Sequence, residues 1–138
     1  MRKALISFAL SAAAGAAAIT AASAADKPRN SQQRLEERLQ KELAQLKPQA
    51  PVECIDTRFR NISLTAIGNK LIYRESRNKI YVSDTTGGCE NVARGDVLVT
   101  RQFGTRLCRG DIATTMDRVG RFYTGSCAIG TFTPYTKG

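Results

Sequence analysis

The sequence predicts an all-β domain, a small antiparallel barrel or sandwich of about six or seven short strands, preceded by a signal peptide and one short amphipathic helix. Three observations predict this class. β-Branched and aromatic runs alternate with Gly- and Asn-containing turns from Val52 onward, four cysteines lie in that stretch, and leucines recur at helical spacing before it. The predicted division is a signal peptide at 1–24, a polar linker with a short helix at 25–51, and a disulfide-linked β-domain at 52–138.

The first 24 residues have the pattern of a secretory signal peptide. A basic start precedes an Ala-rich apolar run from Ala4 to Ala22, and small residues stand at Ala22-Ser23-Ala24. This pattern predicts cleavage after Ala24, with Ala25 as the alternative. An uncleaved membrane anchor is the competing interpretation, since roughly 18 apolar residues can span a bilayer. We therefore expect a periplasmic or secreted protein with no integral membrane span after processing.

The linker contains one predicted helix, from about Ser31 to Leu46. Asn30 or Ser31 can cap its N-terminus. Its apolar positions follow the helical period, at Leu35, Leu39, Leu43 and Leu46. The favoured interpretation is a frayed helical spacer, because so short a helix is marginal alone. Docking on the domain and pairing with a second copy are the alternatives.

The strands of the domain follow from alternation and from turn residues. Gly68-Asn69 predicts a type II′ hairpin, and Arg77-Asn78 predicts the next turn. Alternation places Ile80 and Val82 inward in one strand, and Val97 and Val99 inward in another. The predicted strands are Asn61–Ile67, Lys70–Glu75, Lys79–Ser83, Asp96–Phe103, Ile112–Met116, Arg121–Thr124 and Cys127–Phe132.

The four cysteines predict two disulfides, for which three connectivities exist. A zinc site is disfavoured, because the spacings contain no Cys-x-x-Cys pair. The favoured pairing is nested, Cys54 with Cys127 and Cys89 with Cys108, so that the inner disulfide closes a loop around the strand Asp96–Phe103.

One short segment occurs twice. Arg94-Gly95-Asp96-Val97 recurs as Arg109-Gly110-Asp111-Ile112, and each copy opens a predicted strand. The Gly permits a positive φ, and the Asp can accept hydrogen bonds from neighbouring backbone N–H groups. Arg-Gly-Asp is also an adhesion motif, but a three-residue match without a confirming context does not favour that function.

Three segments together resemble a known family. They are Cys54-Ile55-Asp56-x-Arg58, Leu107-Cys108-x-Gly110-Asp111-Ile112 and Cys127-x-Ile129-Gly130-x-Phe132. The pattern resembles an uncharacterised family of small exported bacterial proteins, a domain of unknown function. The chain departs from it at Tyr81-Val82-Ser83-Asp84, where an Asn would follow the Tyr-Val pair, and at Glu90, where a Pro would stand. The resemblance implies a secreted, disulfide-linked β-domain and carries over no activity.

Several kinds of chemistry are excluded by composition. The chain has no histidine, which removes Ser-His and Cys-His nucleophile pairs and His-ligated metals. Carboxylates could still form an acid/base pair, although each is better explained as a turn cap or an arginine partner. The candidates are Asp56, Asp84, Glu90, Asp96, Asp111 and Asp117. We therefore predict no catalytic residue, no metal and no cofactor.

Arginines stand beside aromatic residues at three places. These supply the candidate binding residues Arg74, Arg101, Arg121 and Tyr123. Such platforms suit single-stranded nucleic acid, but export argues against a nucleic-acid partner.

The formal charge of +9 becomes +7 once the two basic residues of the signal are removed. A dispersed basic excess attracts anionic surfaces such as lipid head groups or polysaccharide, although a merely basic solvated surface would look the same. We expect an exported, non-enzymatic envelope protein whose partner is an envelope protein or an anionic envelope polymer. The alternatives are an inhibitor of a secreted enzyme and a small Asp/Glu hydrolase.

Overall fold

The computed structural model describes residues 30–58 and 61–138. The predicted signal peptide therefore lies outside the described residues. The described chain forms one α-helix, nine strands and one 3₁₀ helix, Glu90–Arg94. The α-helix and the strands are α1 (Ser31–Leu43), β1 (Lys47–Pro48), β2 (Cys54–Asp56), β3 (Ser63–Ile67), β4 (Lys70–Ser76), β5 (Lys79–Thr85), β6 (Val97–Thr100), β7 (Arg106–Cys108), β8 (Ile112–Met116) and β9 (Tyr123–Thr136). The predicted all-β class is confirmed.

One antiparallel sheet dominates the fold. Its strand order is β3–β4–β5–β9–β8–β6, and β1 pairs with the end of β9. The long strand β9 joins the two parts of the sheet, because its first residues pair with β8 and its last residues pair with β5. The sheet curls into a half-barrel. A separate two-stranded sheet, β2–β7, contributes Ile55 and Leu107 to the interior.

Both predicted hairpin turns are confirmed. Ile67 pairs with Lys70 around Gly68-Asn69, and Gly68 has a φ of +58°. Ser76 pairs with Lys79 around the second turn. The last two predicted strands are one strand in the structure, because Gly125 and Ser126 continue the pairing with β8 instead of turning.

The predicted inward face of β6 is wrong. Val97 and Val99 are 44% and 40% exposed, whereas Leu98 packs against the buried interior. Alternation gives the period of a strand but not its orientation, and here the register places Leu98 opposite the buried Thr115. The strand is also shorter than predicted, since it begins at Val97 and ends at Thr100.

The nested disulfide pairing is also wrong. The disulfides join Cys54 to Cys108 and Cys89 to Cys127, and none of the four cysteines is free. Cys54 lies directly opposite Cys108 in the β2–β7 pair. Cys89 precedes the 3₁₀ helix, which reaches β9 because Gly88 lies against the backbone of Ser126, where a Cβ atom would clash. The predicted number of disulfides is correct, and two disulfides indicate an oxidising compartment.

The helix docks on the sheet and is not a free spacer. Asn30 and Gln33 form a capping box at its start. Leu39 is buried with Leu46 of the following turn, and both pack against Ile72 and Ile80. The leucine stripe therefore covers the side of β3–β4–β5 that faces away from the interior. We call these three strands with α1 the covered half.

The other half of the sheet consists of β6, β8 and the first part of β9 (123–128), which we call the bare half. Its inner face supplies buried residues such as Ala113 and Cys127 to the interior. In the described chain no helix lies over its outer face. The two halves thus share one interior and differ in what lies outside them.

Candidate binding face

The outer face of the bare half is an apolar surface open to solvent. Alternation in β6 and β8 turns Val97, Val99 and Ile112 outward, and Ile112 is 55% exposed. Met116 pairs with Tyr123 across β8 and β9, so the Tyr123 ring lies on the same face. We call these five residues the outer face. Clustered apolar exposure of this kind marks interaction surfaces.

Two loops bracket the outer face, one at each end of the β6–β8 pair. The loop after β6 carries Phe103, which is 99% exposed, and the turn after β8 carries Val119, which is 91% exposed. The turn is fixed by Asp117, whose Oδ1 accepts hydrogen bonds from the N–H groups of Val119 and Gly120. Its apolar tip is therefore held out toward solvent by local backbone geometry.

Arginines stand at both ends of the outer face. Arg101 continues the β6 alternation, because its N–H donates to the carbonyl of Ile112, and this places its side chain on the outer face with Val99. At the opposite end Arg118 and Arg121 flank Val119 in the turn, and both are exposed. Among the described residues, none of these three arginines forms an ion pair.

The carboxylates of this region are occupied by local structure. Asp111 Oδ2 accepts a hydrogen bond from the N–H of Cys108 at 2.8 Å, and Asp117 fixes the turn described above. Asp96 accepts from the hydroxyl of Thr124, a residue that also reaches the buried Thr115. These three carboxylates are thus hydrogen-bonded within the chain, while the three arginines are exposed to solvent.

The structure brings together three of the four predicted binding residues. Tyr123 belongs to the outer face, Arg101 lies at one end of it, and Arg121 stands in the turn at the other end. Arg74 lies in the covered half, where it pairs with Glu42 of α1 at 2.6 Å. These hydrogen bonds raise the pKa of Arg74. Arg74 holds the helix on the sheet and is not part of the candidate face.

The apolar members of the site are not predicted by the sequence pattern. Alternation predicts Val97 and Val99 inward, the sequence pattern assigns no binding role to Ile112 and Val119, and Phe103 enters only as the aromatic neighbour of Arg101. A signal existed: each lies within two residues of an arginine or an Arg-Gly-Asp turn, where an exposed position is expected. What the sequence lacked was the sheet order that places them on one surface.

In the described part of the chain, no group of three or more His, Cys, Asp or Glu side chains is placed to hold a metal ion. Glu90, one of the candidate carboxylates, accepts hydrogen bonds from the N–H of Gly88 just before the 3₁₀ helix. These backbone hydrogen bonds hold the pKa of Glu90 below its usual range.

A groove lies in the gap between the two edge strands of the sheet, β3 and β6, and its lining includes Leu64, Leu98 and Arg118. The 3₁₀ helix lies in this gap, in contact with β3. Gln32 of α1 donates to the carbonyl of Ala93 at 2.6 Å and ties the two helices together. The two helices therefore bridge this side of the half-barrel, and the groove that remains is lined in part by Val97 of the outer face.

No protein family, curated protein or solved structure matches this chain. The resemblance to an exported family of unknown function stays a prediction. Within residues 30–58 and 61–138, the helix is too short and too polar to cross a membrane.

Proposed function

We propose that the protein is an exported, non-enzymatic binding module of the cell envelope, and that it binds an anionic envelope component through its outer face. One observation carries the proposal: an exposed apolar sheet face has arginines without ion-pair partners at both of its ends in the described chain. Cationic groups around an apolar patch favour a partner with negative charge.

Three further features support it. The two disulfides fit an oxidising compartment outside the cytoplasm. The formal charge is strongly positive. The carboxylates Asp96, Asp111 and Asp117 each accept a hydrogen bond from within the chain, which is compatible with a structural role.

Sedimentation with the protein's own envelope fraction tests the proposal. The mature protein is compared with Arg101→Gln/Arg121→Gln, which removes two charges at the face. The matched control is Arg34→Gln/Arg77→Gln, which removes two exposed arginines of the covered half. We expect the mature protein and the control to co-sediment, and the face variant to remain in the supernatant. Equal co-sedimentation of both variants would contradict a role for the outer face.

Salt gives a second readout of the same experiment. Because the interaction is between exposed charges, it should weaken as the ionic strength rises above about 0.15 M, where the Debye length is roughly 8 Å. A complex that is unaffected by salt and by the face variant would point to a partner bound elsewhere on the molecule.

A further inference from the structure

We infer that the outer face docks on the surface of an anionic lipid bilayer, with its arginines at the lipid phosphates and its apolar side chains at the boundary of the acyl chains. The inference rests on the proposed function and narrows the anionic component to lipid. It follows from the presence of exposed arginines and exposed apolar side chains on one surface, and from the distance between the arginines at its two ends.

The exposed arginines favour an anionic binding partner that carries phosphate groups. Guanidinium groups donate hydrogen bonds to phosphate oxygens in a planar fork. Arg101 stands at one end of the outer face, and Arg118 and Arg121 stand at the other. The four residue steps of β8 between those ends span about 13 Å. Charges so far apart suit a surface of many phosphates better than one phosphate group.

The exposed apolar side chains favour a lipid bilayer over a soluble anionic polymer. A soluble anionic polysaccharide would satisfy the arginines but would offer nothing to Val97, Val99 and Ile112. A bilayer supplies anionic head groups above an apolar phase, which is the arrangement that interfacial protein segments use. The nearly fully exposed Phe103 and Val119 lie in the two bracketing loops, where they can enter the head-group region.

Tyr123 fits the same environment. Its ring lies on the outer face, 63% exposed, and its hydroxyl donates to Ser126 Oγ at 3.1 Å. Tyrosine has an apolar ring and a polar tip, and such side chains are enriched where an apolar phase meets water.

A tryptophan reporter tests the docking directly, because the chain contains no tryptophan of its own. The reporter is Ile112→Trp at the centre of the outer face, and its control is Gln40→Trp on the exposed side of α1. The probes are phosphatidylglycerol/phosphatidylcholine vesicles, pure phosphatidylcholine vesicles, and dextran sulfate as a soluble anionic polymer. We expect a blue shift of the Ile112→Trp emission with the anionic vesicles alone, and none for Gln40→Trp.

Partitioning of variants on the anionic vesicles separates the two chemistries. Arg101→Gln/Arg121→Gln should lower the partition coefficient by about 30-fold, from the contribution of two arginines near an anionic surface. The control Arg34→Gln/Arg77→Gln should change it by less than about threefold, because those arginines lie in the covered half and would face away from the bilayer. Phe103→Ser/Val119→Ser should lower it by at least about tenfold, and Phe103→Leu/Val119→Leu should restore it.

The outcomes distinguish this inference from the proposed function. Absence of binding to anionic vesicles, together with face-dependent retention by the envelope fraction or binding to dextran sulfate, would overturn the lipid inference and leave the proposed function standing. Absence of binding to vesicles, polymer and envelope fraction would overturn both. Equal loss from the two arginine-pair variants would also overturn docking through this face, since only the total charge would then matter.

Discussion

The covered half and the bare half of the sheet are built from the same kind of strand but are stabilised differently. In the covered half β4 is buried on both faces: Leu71 and Tyr73 face the interior, and Ile72 faces α1. In the bare half β8 is buried on one face only, with Ala113 and Thr115 inside and Ile112 outside. A strand in the bare half therefore buries less apolar surface on folding.

The cysteines lie in or near the half of the sheet that buries less apolar surface. None lies in α1 or in β3, β4 and β5. Cys127 belongs to the bare half itself and forms a disulfide with Cys89, which precedes the 3₁₀ helix. Cys108 ends β7, four residues before β8 begins. Small exported domains commonly use disulfides where the core alone is insufficient. The difference suggests that covalent links allow the outer face to stay open without loss of the fold.

The largest predicted effect tests this division. Cys89→Ala/Cys127→Ala opens a link between residues 38 apart in the sequence, and the free energy of unfolding should fall by about 4 kcal/mol through the entropy of the unfolded chain. Chemical denaturation measures the total loss. Hydrogen exchange measures where it falls, and amides of β6 and β8 should exchange sooner than those of β4.

Two results would contradict this difference between the halves. Equal acceleration of exchange in β4 and β8 would show that the disulfide stabilises the whole sheet uniformly. A non-reduced peptide map that joins Cys54 to Cys127 would remove the structural basis of the prediction altogether.

The next prediction compares one leucine of the covered half with one isoleucine of the bare half. Leu39→Ala leaves a cavity between α1 and the sheet, since Leu39 is 7% exposed, and should lower the free energy of unfolding by about 2–3 kcal/mol. Ile112→Ala removes a half-exposed side chain and should lower it by less than about 1 kcal/mol. Denaturant titration of both variants provides the measurement. A larger loss of unfolding free energy for Ile112→Ala than for Leu39→Ala would mean that the outer face is already buried when no partner is bound.

Much of the fold could be predicted from local sequence. The turns at Gly68-Asn69 and Arg77-Asn78, the strand Ile112–Met116 and the start of α1 depend on residues close together in the chain, and these predictions are confirmed. The direction of β6 and the cysteine pairing depend on which strands become neighbours. Loop-closure entropy favours no particular one of the three connectivities strongly enough to select it, because it varies slowly with loop length.

The candidate site was partly predictable for the same reason. The alternation of arginine and aromatic residues predicts Arg101, Arg121 and Tyr123 as binding residues, and the sheet places all three at one surface. Arg74 satisfied the same pattern, but its partner Glu42 is 32 positions away on a different element. The pairing of a charge across distant elements is a tertiary property that residue spacing does not reveal.

The smallest predicted effect concerns two tyrosines, one in each half. Tyr73 is 6% exposed, and its hydroxyl has no hydrogen-bond partner among the described residues, whereas the Tyr123 hydroxyl is bonded to Ser126 at the surface. Because a buried hydroxyl without a hydrogen-bond partner destabilises the folded state, Tyr73→Phe should raise the free energy of unfolding by about 1 kcal/mol at neutral pH. Tyr123→Phe should change it by less than about 0.5 kcal/mol.

The pH dependence sharpens the Tyr73 prediction. Burial raises the pKa of the Tyr73 phenol above its ordinary value. Above about pH 10 the unfolded chain therefore loses this proton while the folded chain keeps it, and the folded state is stabilised less as the pH rises. The advantage of Tyr73→Phe over the natural chain should be constant below pH 10 and should then grow by up to about 1.4 kcal/mol per pH unit. Parallel denaturation of the two proteins from pH 7 upward measures it. If the difference in the free energy of unfolding between the two proteins stays constant through pH 11, the Tyr73 phenol ionises in the folded protein. That result would contradict the burial of this side of β4 in the interior.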